Sequence, residues 1–158
     1  MKYLILNKRH KRKCVYVNKV KKRRPVADNF IKQLNKLKPL NLPKNKFAIF
    51  GSGPIVIRGF REARDIDIIV KKELWDELKK KYAKFIKNNP ECIKIDNIEI
   101  YKDWPGFDEV NQLIDEAEII GGWPFVKLKY VLIWKKRIRR EKDIKDIELI
   151  KKYYKGLF

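Results

Sequence analysis

The chain of 158 residues is long enough for one domain with a substantial core, and 44% of it is hydrophobic. No apolar run approaches the length of a membrane span, and Cys14, Cys92 and the single His10 are too scattered for a zinc site. The formal charge of +20 is concentrated in residues 1–61, where 18 Lys/Arg face one acid, Asp28; that asymmetry predicts a polyanion partner, nucleic acid first. The same Lys-, Glu- and Ile-rich composition is also what thermophile proteins carry. Two isolated cysteines suit a reducing compartment, and the apolar stretch 3–6 is too short for a signal-peptide core. A cytoplasmic protein with no membrane partner is expected.

Residues 1–24 carry 11 Lys/Arg and no acid. They read as a basic N-terminal arm, or as a hairpin of short strands 2–6 and 14–17 around the basic run 8–13. Tyr3, Tyr16 and the cations around them would suit a phosphate backbone. Pro25 opens a predicted helix to about residue 37, with Val26, Phe30, Leu34 and Leu37 on one face. Pro39 and Pro43 then interrupt it, and residues 47–50 read as a buried strand.

Gly51-Ser52-Gly53 reads as a turn, and Pro54 starts a short helix to about residue 60. Free N–H groups at its start would receive a phosphate. Arg58, Arg61 and Arg64 recur every third residue. On a helix they would lie near one face and could steer a phosphate chain; the plainer reading is a solvated face pairing with Glu62. Residues 65–70 form the next strand. Strand alternation puts Asp65 and Asp67 on one face, Ile66 and Ile68 on the other. Two carboxylates this close repel each other, and a divalent ion that prefers hard oxygen donors, Mg²⁺ or Mn²⁺, removes the repulsion.

The spacing predicts a helix over 73–87, with Leu74, Leu78, Tyr82 and Phe85 inward, Trp75 and Ile86 beside them, and Asn88-Asn89-Pro90 as its stop. Strands 92–95 and 98–101 form a hairpin about Asp96-Asn97, with Ile98 and Ile100 on one face and Glu99 on the other. A loop at Trp104-Pro105-Gly106, a helix over 107–114, a strand over 117–120 and a turn over 121–124 follow. Trp104 and Trp123 read as core cover, with base stacking as the alternative. A helix over 127–139 turns Leu128, Val131, Leu132 and Ile138 inward, and a last helix carries Ile144, Ile147, Ile150 and Tyr154.

Gly51-Ser52, a connector over 53–64 and Asp-hydrophobic-Asp opening a strand together resemble the signature of the polymerase-β-type nucleotidyltransferase superfamily. The resemblance is carried by this motif and not by the whole chain. It implies an α/β (α+β) fold over residues 25–158: a minimal nucleotidyltransferase fold with a mixed central sheet flanked by helices and closed by C-terminal helices. It implies that Gly51 and Ser52 hold the terminal phosphates of a nucleoside triphosphate, ATP being the expected one. Asp65 and Asp67 would hold two Mg²⁺ (or Mn²⁺) ions with help from a third carboxylate on a later strand. Glu99 is the candidate, with Asp96 and Asp103 as rivals. Arg64 and Lys142 complete the expected nucleotide-binding set. The step from Arg140-Glu141-Lys142-Asp143 into a final helix is similar to the end of many small members, where Lys142 would reach the phosphates and Asp143 orient it. A helix cap bearing surface charges is the other reading.

The implied reaction transfers a nucleoside monophosphate to a hydroxyl acceptor and releases pyrophosphate. The chain is short for an enzyme with its own acceptor domain, so a partner protein or a homodimer is expected to complete the site; RNA or another polyanion is the further partner that the charge suggests. Two rivals use the same fold: a non-catalytic nucleic-acid-binding protein, and an antitoxin-like regulatory partner. A metal-dependent nuclease using the same carboxylates would leave Gly51-Ser52 unexplained.

Overall fold

Strand β1 (Phe47–Ile49) and strand β2 (Ile66–Val70) lie antiparallel at the centre of a computed structural model that describes residues 25–157. Both are buried on two faces, apart from the half-buried Asp67, so the apolar run is nearly continuous rather than alternating. Around them the described residues build a seven-stranded mixed sheet flanked by helices, an α/β architecture of the expected kind. The flanking strands are β3 (Ile86–Lys87), β4 (Cys92–Ile95), β5 (Ile98–Tyr101), β6 (Glu118–Ile120) and β7 (Trp123–Phe125), in the spatial order β3-β4-β5-β2-β1-β7-β6. β5 runs parallel to β2, and β7 runs parallel to β1.

Alternation along the central strands divides the core in two. Phe47, Ile49, Ile66, Ile68 and Val70 face α1 (Pro25–Leu34) and α3 (Lys72–Lys81), meeting Phe30, Leu34, Leu74, Trp75 and Leu78. Ala48, Phe50 and Ile69 face the other way, toward α4 (Asn111–Asp115), α5 (Leu128–Ile138) and α6 (Glu141–Tyr154), meeting Leu113, Val131, Trp134 and Ile150. Asp67 shares the parity of Ile69, so the strand delivers it to this second face. Trp75 is 2% exposed within the first cluster. Trp75→Ala is expected to cost about 3–5 kcal/mol, read as a lower urea midpoint at an unchanged m-value.

Several elements differ from the sequence-based expectation. The first helix ends at Leu34, and a 3₁₀ segment (Asn35–Leu40) carries the chain on through Pro39. The helix expected over 73–87 stops at Lys81. Ala83–Phe85 is a 3₁₀ turn with Phe85 exposed, and Ile86 enters β3 because β4 offers it backbone partners. The short helix expected from residue 107 begins only at Asn111. Trp123 and Pro124, expected as part of a turn, join Phe125 in β7, since Gly121 and Gly122 alone make the reversal. Both have positive φ, +60° and +85°, as a two-residue hairpin turn requires. Ile138 faces solvent, as do Ile144 and Tyr154. The inward face of α6 carries Asp143, Asp146 and Ile150 instead. The hairpin about Asp96-Asn97 forms as expected, with Asp96 at φ +54°. The basic arm or hairpin read over residues 1–24, with Tyr3, Cys14 and Tyr16, lies outside the described residues. No described helix is long and apolar enough to cross a membrane.

Candidate nucleotide and metal site

A cavity of about 1230 Å³ opens on the second face of the sheet, between the ends of β1, β2 and β5 and the start of α6. Gly51, Ser52, Arg64, Asp65, Asp67, Glu99 and Lys142 all line it, so the fold gathers these seven site candidates at one cavity. They come from segments up to 91 positions apart, counting from Gly51 to Lys142. Of the rivals to Glu99, Asp103 also lines the cavity, whereas Asp96 sits at its hairpin turn and pairs with Lys36 at 3.0 Å.

The carboxylates are set by strand register. β2 and β5 are parallel neighbours, and Asp67 stands directly opposite Glu99. Adjacent strands lie about 4.8 Å apart, so the two side chains share one face at close range. Asp65 precedes β2 and is exposed at the mouth of the same cavity. Burial pushes the Asp67 carboxyl up to about 6, with further upward pressure from the charges of Glu99 and Asp65; Lys142 and Lys135 pull the other way. Burial alone would raise Glu99 too. Its hydrogen bonds from Lys94 Nζ and the Tyr101 hydroxyl, both 2.5 Å, outweigh that and hold it below its ordinary value. Tyr101 is pushed up in turn by burial and by Glu99.

Gly51 is required at the end of β1 on two counts. Its φ is +54°, and a Cβ there would run into the Asp67 carboxylate. The close approach follows from strand pairing, since the Phe50 N–H donates to the Asp67 carbonyl at 2.9 Å. Helix α2 (Gly53–Val56) is a single turn, shorter than expected. Its N–H groups are consumed locally: Gly53 donates to the Phe50 carbonyl, and Ile55 and Val56 donate to the Ser52 carbonyl. Free helical N–H groups for a phosphate are therefore not what this turn offers.

The three connector arginines do not share a helix face, because α2 ends before them. Arg58 turns away to the Pro54 carbonyl and to Glu118. Arg64 remains on the cavity wall, its carbonyl accepting from Asn97 Nδ2 at 2.6 Å. Arg61 reaches the Gly-Ser turn: its guanidinium donates to Ser52 Oγ at 2.8 Å and to both oxygens of Asp146 at 2.6 and 2.8 Å. Lys142 lines the cavity, but Asp143 does not orient it. Asp143 accepts from the backbone N–H of Arg140 at 3.1 Å, capping α6, and pairs with Arg140 and Lys135.

Lys135 and Asp146 were not among the residues expected here. Lys135 sits in the Lys/Arg run of α5, yet it is 2% exposed and bridges Asp143 at 3.0 Å and Asp146 at 2.8 Å. Residues 143, 146 and 150 do fall on one helical stripe, so a signal for Asp146 existed. Trp104 is buried and lines the cavity; Trp123 packs against the first-face core.

Among the described residues no three His, Cys, Asp or Glu side chains are drawn close enough to hold a metal ion as they stand. Glu99 is taken up by Lys94 and Tyr101. The carboxylates that line the cavity, Asp65, Asp67 and Glu99 among them, are the hard oxygen donors that a divalent cation takes, and one of them is held at about 6 by burial and by its neighbours. Compared with family models, with curated proteins and with solved structures, the chain matches none.

Proposed function

We propose that this protein is a nucleotidyltransferase that moves a nucleoside monophosphate from a nucleoside triphosphate, ATP the expected donor, to a hydroxyl acceptor. The observation that carries the reading is the register pairing Asp67 with Glu99 on a cavity wall, with Gly51 packed directly against Asp67. That pairing puts carboxylates beside a Gly-Ser turn backed by the Arg61 cation. A polyphosphate and its counter-cations need this alternation of charge.

In this reading Gly51 and Ser52 bed the terminal phosphates, and Arg64 and Lys142 meet the chain from the cavity wall. Asp65, Asp67 and Glu99 would hold Mg²⁺ (or Mn²⁺), which supplies neutralisation of the charge that builds on the phosphate. The acceptor oxygen attacks the α-phosphorus, forming a new P–O bond. The bond to the bridging oxygen breaks and pyrophosphate leaves with its electron pair. The hydroxyl proton passes to water, Glu99 helping to lower the acceptor's pKa through the ion it would share, and the rest of the site contributes positioning. The high positive charge of residues 1–61 makes RNA or another polyanion the acceptor to try first, with a partner protein or second copy next.

The test is a thermal-shift titration with each of the four NTPs, with and without Mg²⁺, with heparin as a polyanion control. One specific site should stabilise by about 2.7 kcal/mol at a ligand concentration of 100 Kd. The shift should need Mg²⁺ and favour one NTP. Equal shifts from heparin and every NTP without metal would instead favour a non-catalytic basic binding protein.

A further inference from the structure

Arg61 is placed in a way that the general reading of the site does not explain. Its side chain is 33% exposed and faces Asp146, which is 1% exposed. Two donors from one edge of the guanidinium grip the two Asp146 oxygens in a fork. Asp146 is itself held from behind by Lys135 at 2.8 Å, and Lys135 by Asp143 at 3.0 Å. Arg140 closes the cluster on Asp143 at 2.7 Å. The cluster therefore sets three cations against two carboxylates and keeps one positive charge in excess. Neutralising buried acids does not require that surplus. It lies where the cavity meets the phosphate turn, with Lys142 and Lys145 also on the wall.

The donor count sharpens the point. Arg61 has five N–H groups. Its Nε–H goes to Asp146, one nitrogen serves Asp146 and Ser52, and the other donates to the Glu62 carbonyl at 2.9 Å. One N–H stays without a partner among the described residues. Ser52 Oγ accepts from Arg61, which leaves its own hydroxyl proton to donate elsewhere. The clamp thus leaves two donors, the remaining Arg61 N–H and the Ser52 hydroxyl, on residues that line the cavity, beside an uncompensated positive charge. The complement is an anionic oxygen of a polyphosphate, and a rigid fork loses little freedom when that oxygen binds. Arg58, which shares the connector, is spent on Glu118 and the Pro54 carbonyl.

We propose that Arg61, held in position by Asp146, reads the distal phosphate and so selects nucleoside triphosphates over monophosphates. The inference rests on the nucleotidyl-transfer reading and names the residue that sets donor selectivity within it. Asp146 is a positioning residue that acts through Arg61.

The experiment is isothermal titration of ATP, AMP and inorganic tripolyphosphate, each with Mg²⁺, into wild type, Arg61→Gln, Arg61→Lys and Asp146→Asn. Wild type should bind ATP and tripolyphosphate and favour ATP over AMP. Arg61→Gln should weaken ATP and tripolyphosphate by roughly 10–100-fold, the scale of losing a charge-assisted hydrogen bond, and leave AMP unchanged. Arg61→Lys should recover part of the preference, and Asp146→Asn should lower it in the same direction. Arg61→Gln retains the Lys135–Asp146 pair, so it decides the case even if Asp146→Asn does not fold. An ATP-to-AMP ratio that is unchanged in folded Arg61→Gln, or ATP and AMP affinities that fall together, would overturn the assignment and leave nucleotidyl transfer standing. Wild type that binds neither ATP nor tripolyphosphate would overturn both.

Discussion

Asp67→Asn is expected to make the metal-free protein more stable at pH 8 and insensitive to Mg²⁺. The folded protein holds the Asp67 proton with a pKa of about 6, against 3.8 for the ordinary carboxyl. A raised folded pKa favours the folded state below about pH 4, and that gain is lost as pH rises through about 6. At pH 8 the ionised carboxylate, half-buried beside Glu99 and near Asp65, therefore costs the fold up to roughly 3 kcal/mol. An amide of the same shape does not incur that cost. Urea unfolding in EDTA at pH 8 should give the Asp67→Asn variant the higher midpoint, with the gap closing toward pH 4. Added Mg²⁺ should stabilise wild type and leave the variant unmoved. Where wild type incorporates α-labelled nucleotide, the variant should lose about 10³-fold, the scale of removing one preorganised stabiliser of developing charge. A variant less stable than wild type at pH 8 would mean that Asp67 is a structural hydrogen-bonding residue and would remove the strain on which the metal argument rests. Sites that gather like charges commonly exchange stability for chemistry in this way.

The second large effect lies behind the Gly51-Ser52 turn. Lys135→Met should destabilise by about 3–5 kcal/mol, because it leaves Asp143 and Asp146, 0% and 1% exposed, short of one buried cation. Lys136→Met, one residue on and exposed, should stay within about 0.5 kcal/mol of wild type. The acid limb adds a signature. Burial pushes Asp143 up, but hydrogen bonds from Arg140 and Lys135 outweigh it and hold the carboxyl at about 2. Asp146 is likewise held low: burial is again outweighed, by Arg61 and Lys135. Groups with depressed folded pKa values stabilise above about pH 4, and that stability is lost as pH falls toward about 2. Wild type should therefore unfold steeply in that window, and Lys135→Met should flatten the limb. Unfolding of the two lysine variants by urea at pH 7 is the direct comparison. Equal midpoints would show that water reaches the cluster.

What could be read along the chain was whatever neighbours in sequence dictate. The Asp65-Ile66-Asp67-Ile68 alternation assigned both carboxylates to one face because a strand has period two. The Asp96-Asn97 turn placed Glu99 opposite to Ile98 and Ile100; Asp67 and Glu99 keep these faces in β2 and β5, while Asp65 stands just before β2. Gly51 announced a turn that a side chain would obstruct. Periodicity failed where partners far along the chain prevail. Ile86 left its expected helix for β4, and residues 123–125 became a strand on the edge of β1. Helical period alone cannot say which stripe of α6 faces inward when isoleucines and aspartates both repeat at helical spacing. Asp143 and Asp146 went in because Lys135, Arg140 and Arg61 were there to meet them, and Ile144 was left outside. A charge is buried only when its counter-charge is buried with it. That counter-charge arrives from another element, so the carboxylates were legible in the sequence and the cationic clamp facing them came from the packing of connector, α5 and α6.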